Sequence, residues 1–389
     1  MTSLCFVVES GTDVRLVEGL AERFDLSILA RRIEGGVEIS QPPVKSIPCV
    51  VGPASRVKFA LLVWKYLREH GQQIDCVIVQ GYGMAALAAN LAGRLNRTPT
   101  AMLVCSPVQA YYRCRKAHAA QNKPFRRREL WALEALARMN ALVGRQYIVL
   151  SQHLAHVVRQ HGSSAPVAVI PIYGVDTRVL TPPSESKTAI RARLGLPTTG
   201  ALIFFSSRIA PEKDSETLLA AMRRLLDNGR DLWLLHRSGG YKTTIKDSVR
   251  FGVAERVIAS DAVHPHSQLP LDYQASDLCV QASREEGLSF SPLEALACGV
   301  PVKAAAVGGL KETIRDGQTG WTYPVGDPEA LTKSIESALD DPAEAARRAT
   351  RGREMVGNEF ERGTVFGQVE RLMLTSKRSE LSNKFVESL

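Results

Sequence analysis

The chain has 389 residues, of which 45% are hydrophobic and 23% charged, with a formal net charge of +9. This length predicts two globular domains of roughly 150–200 residues each, and the composition excludes a disordered or fibrous chain. No apolar run approaches the roughly 20 residues that span a bilayer, and the start lacks the basic region of a signal peptide. The seven cysteines form no CxxC pair. We therefore expect a cytoplasmic protein without a zinc site.

Short β-branched runs alternate with helical patterns along the chain, which predicts parallel sheets built from α/β units. In the first half we predict strands over 4–9, 26–30, 75–79, 100–104, 147–150 and 167–170. Helices are predicted over 12–24, 55–70, 83–95, 127–142 and 151–161. Gly11 lies in the first strand-to-helix turn, where the absence of a side chain lets the backbone approach a ligand.

All of the excess positive charge lies in the first half, and much of it is concentrated in the segment Tyr111–Trp131, where it is interleaved with aromatic residues. Charge at this density faces solvent or an anionic surface. Two interpretations stay open: a solvated loop, or peripheral contact with anionic lipid at the inner face of the membrane, to which each basic residue contributes about 1 kcal/mol. Nucleic acid is not expected, because no nucleic-acid-binding module accompanies the charge.

The domain boundary is predicted near residue 175, before a stretch at 181–186 that is rich in proline, serine and glutamate. The predicted domains are 1–175 and 176–360, followed by a helix and tail over 361–389 that can pack back on the first domain. Strands of the second half are predicted over 201–206, 231–236, 256–259, 277–281, 301–305 and 320–323. Helices are predicted over 214–228, 242–251, 292–298, 309–315, 328–339, 343–357 and 361–375. Two similar halves imply a cleft, with ligands at the carboxyl ends of the strands.

Two cations follow the first strand of the second half. Arg208 comes two residues after the end of the strand predicted over 201–206, and Lys213 stands five residues later, just before a helix. Isolated residues of this kind are usually solvated loop charges. Two of them beyond one strand end can instead bind an anion, and cations fixed near a departing anion lower the reaction barrier by a few kcal/mol.

Two carboxylates mark a later loop. Glu286 lies in a glycine-containing loop, and Glu294 follows after seven intervening residues, just inside a predicted helix. The sequence from Ser291 to Glu294 also matches a capping box, in which Ser291 caps the helix and Glu294 reaches back to it. This structural role competes with a binding role for Glu294, but it does not explain Glu286.

The second glutamate of the pair begins the run Glu-Ala-Leu-Ala-Cys-Gly-Val-Pro-Val, which is followed by Gly-Gly-Leu-Lys-Glu. This ordered pattern resembles the E-x7-E motif of the retaining glycosyltransferases of family 4, and the likeness extends from about Arg191 to about Asp341. The resemblance implies an α/β protein of GT-B architecture, with two Rossmann-like domains facing across a cleft. It also implies transfer of a sugar from a nucleotide-sugar donor to an acceptor hydroxyl, with retention and without a metal or other cofactor.

The resemblance assigns roles to individual residues. Glu286 would contact hydroxyls of the donor sugar and Glu294 the ribose, while Arg208 and Lys213 would hold the diphosphate. The amides of Gly287, Leu288 and Ser289 are expected to bind the sugar or the diphosphate, because they precede a helix N-terminus that favours anions. The backbone of Ala262 and Val263 is expected to contact the nucleotide base, and Gly11 is expected to lie opposite the diphosphate.

Other positions limit what the resemblance implies. No Asp-x-Asp sequence occurs, and His264 and His266 are interpreted as loop residues rather than metal ligands. Lys303 interrupts a predicted apolar strand, which predicts a charge at a sheet edge or at the cleft. Cys105 and its neighbours stand where a histidine is frequent in the family, so the acceptor is unassigned. A nucleotide-sugar epimerase and a non-catalytic GT-B scaffold remain as alternatives.

Overall fold

The computed structural model describes residues 1–33, 46–119, 127–260 and 269–387. Contacts divide the chain into two compact units. The N-terminal unit comprises Met1–Gln109, Arg126–Gly174 and Arg362–Leu389, and the C-terminal unit comprises Ala110–Phe125 and Val175–Glu361. Each unit is built on one parallel sheet, as the alternation of strands and helices predicts.

The sheet of the N-terminal unit has seven strands in the order β3-β2-β1-β4-β5-β6-β7. Its strands are β1 (Ser3–Val8), β2 (Asp25–Arg31), β3 (Cys49–Gly52), β4 (Cys76–Gln80), β5 (Thr100–Val104), β6 (Gln146–Val149) and β7 (Val167–Val169). Its helices are α1 (Val14–Ala21), α2 (Arg56–His70), α3 (Met84–Asn96), α5 (Arg127–Val143), α6 (Gln152–Gln160) and α15 (Arg362–Glu387). Strands β4 and β5 are buried along their whole length, which explains their continuous apolar sequences.

Helix α15 belongs to the N-terminal unit although it follows the other unit in sequence. Its buried side chains are Val365, Phe366, Val369 and Met373. The ring of Phe366 lies over Gly19 of α1, where a Cβ atom would overlap it. Because glycine leaves room for the aromatic ring, α15 packs directly on α1.

Helix α4 (Val108–Ala119) changes from one unit to the other along its length. Its first turn is held in the N-terminal unit by Tyr82, whose hydroxyl donates to Gln109 at 2.6 Å and accepts from the Val108 amide at 3.3 Å. From Ala110 onward, the helix groups with the C-terminal unit. The basic segment therefore begins as a helix rather than as a loop.

The sheet of the C-terminal unit has six strands in the order β10-β9-β8-β11-β12-β13. Its strands are β8 (Ala201–Phe205), β9 (Leu232–Arg237), β10 (Val257–Ser260), β11 (Leu278–Gln281), β12 (Val302–Ala305) and β13 (Trp321–Tyr323). The helices are α7 (Lys187–Arg193), α8 (Ser215–Asp227), α9 (Tyr241–Arg250), α10 (Leu269–Ala275), α11 (Ser291–Ala297), α12 (Leu310–Thr313), α13 (Pro328–Asp340) and α14 (Pro342–Met355). Buried side chains of α8 and α13 pack with those of the central strands to form the core.

Lys303 lies on β12, which is paired on both sides, and its side chain is fully buried. The expectation of an edge or cleft position is therefore wrong. The side-chain nitrogen Nζ lies 3.3 Å from the centre of the Trp321 ring on β13. Burial, and then the positive charge of Arg348, lower the pKa of Lys303 to about 6.

Among the residues that the structure describes, no helix is both long enough and apolar enough to cross a bilayer.

Candidate donor site

The predicted cations and Glu286 lie in two loops of the C-terminal unit that leave neighbouring strands, and Glu294 lies on the helix that follows the second loop. The loop with Arg208 and Lys213 follows β8, and the loop with Glu286 follows β11. These strands are parallel and paired, so both loops leave the same edge of the sheet. The Ser291 hydroxyl at the start of α11 donates to the Ser206 carbonyl at 2.6 Å and joins the two loops.

Lys213 and Glu286 form an ion pair. Their side chains are only 13% and 6% exposed, so the pair is largely shielded from water. The same carboxylate oxygen, Oε2, accepts from the Ser283 hydroxyl at 3.1 Å. Two residues predicted separately from the sequence are thus in direct contact.

A chain of hydrogen bonds between buried side chains ends at the Glu286 carboxylate. The Ser207 hydroxyl donates to Gln281 Oε1 at 3.0 Å, and Gln281 Nε2 donates to the Ser283 hydroxyl at 2.8 Å. All three side chains are buried. A buried polar network with satisfied partners restricts its members to one arrangement, so it fixes the position of the Glu286 carboxylate.

Glu212 is a site residue that the sequence did not reveal. Its side chain is fully buried and accepts from Arg208 Nη2 at 2.6 Å. Arg115 of α4 binds the same carboxylate through Nη2 at 2.6 Å and Nε at 3.1 Å. Burial alone would raise the pKa of Glu212, but the hydrogen bonds and charges of Arg115 and Arg208 hold it below its usual value.

Tyr111 of α4 is a second residue that was missed in this role. Its hydroxyl donates to Glu286 Oε1 at 3.2 Å. Tyr111 and Arg115 are four residues apart, so they share one helix face, and both contact acids of the C-terminal unit. The interpretation of Tyr111–Trp131 as one solvated or lipid-facing segment is therefore wrong for Tyr111, whereas Arg115 binds an acid with a side chain that stays 50% exposed. Their spacing was a usable signal, but only once the segment is recognised as a helix.

Glu294 lies on α11 and is almost fully buried. Its Oε2 accepts from the hydroxyl of Tyr273 at 2.8 Å. Helix α11 begins at Ser291 with Phe290 at the N-cap, and no side chain caps it. The capping-box interpretation is wrong, because the Ser291 hydroxyl is used by the Ser206 carbonyl instead.

The backbone between the two glutamates is held in an unusual conformation. Gly287 and Leu288 are buried, and Ser289 has a φ of 72°, which is uncommon for a residue with a side chain. The Gly309 amide donates to the Glu286 carbonyl at 3.0 Å, and a Cβ atom at Gly309 would overlap the Gly287 carbonyl oxygen. The glycine at 309 thus allows the backbone contact that fixes the loop.

The remaining predicted residues are Gly11 and four positions between 262 and 266. Gly11 is exposed in the N-terminal unit, and a Cβ atom there would meet no neighbouring atom. Ala262, Val263, His264 and His266 lie outside the described residues. Within the described part of the chain, no group of three or more His, Cys, Asp and Glu side chains is placed to hold a metal ion.

Comparison with family models gives two matches that together cover most of the chain. Residues 14–172 match the glycosyl transferase 4-like domain, and residues 186–355 match the glycosyl transferases group 1 model.

Individual relatives agree with these models. A 2-deoxystreptamine glucosyltransferase of Streptomyces kanamyceticus is 29% identical over 288 residues, covering 73% of this chain and 72% of the relative. A D-inositol 3-phosphate glycosyltransferase of Xylanimonas cellulosilytica is 34% identical over 209 residues, covering 51% of this chain and 49% of the relative. The chain thus spans about half the length of the latter protein.

Among solved structures, HepE of Anabaena in complex with UDP-glucose has a TM-score of 0.76 at 18% identity, covering 96% of this chain and all of that one. This likeness concerns the fold of two parallel-sheet units. It shows the GT-B fold and no more. The two family models, with the relatives named above, show that the chain is an enzyme and belongs to the group 1, family 4-like glycosyltransferases.

Proposed function

We propose that the protein transfers a sugar from a nucleoside-diphosphate sugar to an acceptor hydroxyl, with retention of the anomeric configuration and without a metal ion. The observation that carries the proposal is the contact between Lys213 and Glu286 beside Arg208, at the carboxyl edge of the C-terminal sheet. Cations suited to a diphosphate and a carboxylate suited to sugar hydroxyls lie together there. The complex of HepE with UDP-glucose supports the choice of donor class.

The proposed reaction breaks the bond between the anomeric carbon and the phosphate oxygen, and the electron pair goes to that oxygen. Arg208 and Lys213 stabilise the negative charge that develops there. The acceptor oxygen bonds to the anomeric carbon on the same face, and its proton passes to the departing phosphate. Glu286 orients the sugar, Glu294 binds the ribose, and the Gly287, Leu288 and Ser289 amides bind the sugar or diphosphate.

For the donor, the test is a thermal-shift screen of UDP-, GDP-, ADP- and dTDP-sugars. A ligand at 100 times its dissociation constant stabilises the folded protein by about 2.7 kcal/mol. No stabilisation by any of them contradicts the proposal. The base contact assigned to Ala262 and Val263, and the place of Gly11 opposite the diphosphate, remain parts of this proposal.

For the reaction, the donor found in the screen is incubated with 2-deoxystreptamine or inositol 3-phosphate, the acceptor groups in the names of the two relatives. Proton NMR of the product reports the anomeric configuration, and the rate should be unaffected by EDTA. Glu286→Ala should abolish transfer, whereas Glu285→Ala at the neighbouring acid should not. A product with inverted anomeric configuration, or equal transfer activity of the two variants, contradicts the mechanism. Conversion of the donor in the absence of an acceptor indicates an epimerase.

We also propose that the N-terminal unit contacts an anionic membrane. Tyr111 and Arg115 bind acids of the C-terminal unit, so we place the membrane contact on the exposed face of α5 instead. On this face Trp131, Met139 and Leu142 are 74%, 49% and 77% exposed. Exposed arginines at 128 and 138 lie on the same helix. Apolar side chains flanked by cations suit an interface between water and anionic lipid.

Flotation with vesicles tests this contact. The protein should bind phosphatidylglycerol vesicles at low salt and release from them at high salt, because exposed charges are screened. Trp131→Ala/Leu142→Ala should weaken binding, whereas Val249→Ala, which shortens an exposed apolar side chain on α9, should not. Equal binding to phosphatidylcholine, or no binding, contradicts the proposal.

A further inference from the structure

The hydroxyl of Tyr111 lies where a hydroxyl of the donor sugar is proposed to bind. It donates to Glu286 Oε1 at 3.2 Å, and the backbone of Gly287 hydrogen-bonds to the same hydroxyl. A sugar hydroxyl has the same two capacities, one donor proton and an oxygen that accepts. The tyrosine thus makes the pair of contacts that the site would offer to the sugar.

Tyr111 and a bound sugar cannot both use this pair of groups. A backbone amide has a single proton, so the Gly287 amide serves one acceptor well. The other Glu286 oxygen, Oε2, already holds Lys213 and Ser283. Because the Glu286 side chain is only 6% exposed, there is little free surface on which a second hydroxyl could bind.

A second contact holds Tyr111 in place. Arg115 lies one turn further along α4 and binds the fully buried Glu212 through two nitrogens. Bidentate bonds between arginine and a carboxylate are strong and directional. Both contacts come from one face of α4, so the helix is fixed over the two loops that carry Arg208, Lys213 and Glu286.

We infer that α4 is a displaceable occupant of the donor site, in which the Tyr111 hydroxyl takes the place of a sugar hydroxyl until a nucleotide sugar replaces it. This inference rests on the proposed donor site. A site that is partly occupied by its own chain binds ligand with an affinity reduced by the fraction that is open. The affinity is reduced for nucleotide sugars, because their sugar competes with Tyr111. A nucleoside diphosphate carries no such sugar and leaves Glu286 and Tyr111 in contact, so its affinity is not reduced.

The test is calorimetry of UDP-glucose and UDP, with GDP-mannose and GDP in parallel, on the full chain. Tyr111→Phe removes the hydroxyl and keeps the ring. The dissociation constant of the nucleotide sugar should fall by about tenfold, since a hydrogen bond to a carboxylate no longer competes with it. The constant for the free diphosphate should not change. Tyr66→Phe, which removes a hydroxyl from α2 in the N-terminal unit, is the matched control and should alter neither.

Each other outcome has a distinct meaning. A weaker affinity of Tyr111→Phe for the nucleotide sugar makes Tyr111 a ligand of the bound sugar and overturns the inference, as does an unchanged affinity. If neither these four nucleotides nor the ADP- and dTDP-sugars of the screen bind the wild type, the donor site itself is contradicted.

A second readout does not depend on the variant. Hydrogen exchange of the backbone amides at 111–117 in the wild type should increase when UDP-glucose or GDP-mannose is bound, because the sugar displaces α4. Slower exchange in this segment on binding contradicts displacement.

Discussion

Lys213 and Glu286 neutralise each other in a largely buried ion pair. The lysine assigned to the diphosphate and the glutamate assigned to the sugar are therefore coupled before any ligand binds. Removing one member of such a pair leaves an uncompensated buried charge, whereas removing both does not.

The pair should show this coupling in stability measurements. Lys213→Met is expected to lower the free energy of unfolding by about 3–5 kcal/mol. Lys213→Met/Glu286→Gln should recover most of this loss and still be inactive, because both assigned roles are gone. Urea unfolding followed by circular dichroism measures the first effect and a transfer assay the second. Additive losses in the double variant would mean that the two charges do not interact.

The sharing of Glu212 between Arg115 and Arg208 leads to a prediction on nucleotide affinity. Without Arg115, the carboxylate pairs with Arg208 alone and holds it more firmly away from a diphosphate. Arg115→Ala should therefore weaken UDP binding by about threefold to tenfold, on the order of one hydrogen bond to a charged group. Arg113→Ala, an exposed neighbour on the same helix, serves as the control. Calorimetry that finds tighter UDP binding in Arg115→Ala contradicts this role.

The contact between Tyr273 and Glu294 allows the ribose role to be tested without unfolding the protein. Glu294→Gln keeps an oxygen that accepts from Tyr273 but loses the charge. We expect kcat/KM for the donor to fall about tenfold, mainly through KM, because the interaction is made with the bound nucleotide throughout. A donor whose nucleoside lacks the 2′-hydroxyl should show a smaller loss. An equal loss with both donors would place Glu294 away from that hydroxyl.

The lowered pKa of Lys303 leads to a prediction of how the free energy of unfolding depends on pH. Its pKa is near 6 in the folded protein and near 10.4 in an unfolded chain. Between these values the unfolded chain binds more protons, so the free energy of unfolding should rise with pH, by at most about 1.4 kcal/mol per unit from this group. Below pH 6 both states are protonated and the contribution is constant.

Lys303→Met tests this dependence. The variant has a side chain of similar length without the charge, so it should be more stable than the wild type at pH 7, by at least about 1 kcal/mol. The difference should shrink as the pH approaches 10. Urea unfolding at pH 6.5, 8 and 9.5 measures it, and a difference that stays constant over this range would contradict a buried neutral amine.

The regular elements were largely accessible to sequence reasoning, because buried parallel strands are apolar throughout and their helices are amphipathic. The strand over Cys49–Gly52 was missed, since it is short, lies at the sheet edge and has three exposed residues of four. The helix Val108–Ala119 was missed because its charges hid a helical face that binds acids rather than apolar side chains.

The site was predictable where its residues are close in sequence. Arg208 with Lys213 and Glu286 with Glu294 follow strand ends at fixed spacings, so local patterns reveal them. Arg115 and Glu212 are 97 positions apart, and Tyr111 and Glu286 are 175 apart. No local pattern connects residues at such separations, since only the folded topology brings them into contact.

The packing of Phe366 on Gly19 bears on how this chain folds during synthesis. Four buried side chains of the N-terminal unit come from residues 365–373, so that unit lacks part of its interior while the ribosome is still translating the other one. The domain that emerges first is thus the one completed last, and a nascent chain that stalls before residue 373 should expose the surface of α1 to chaperones and proteases.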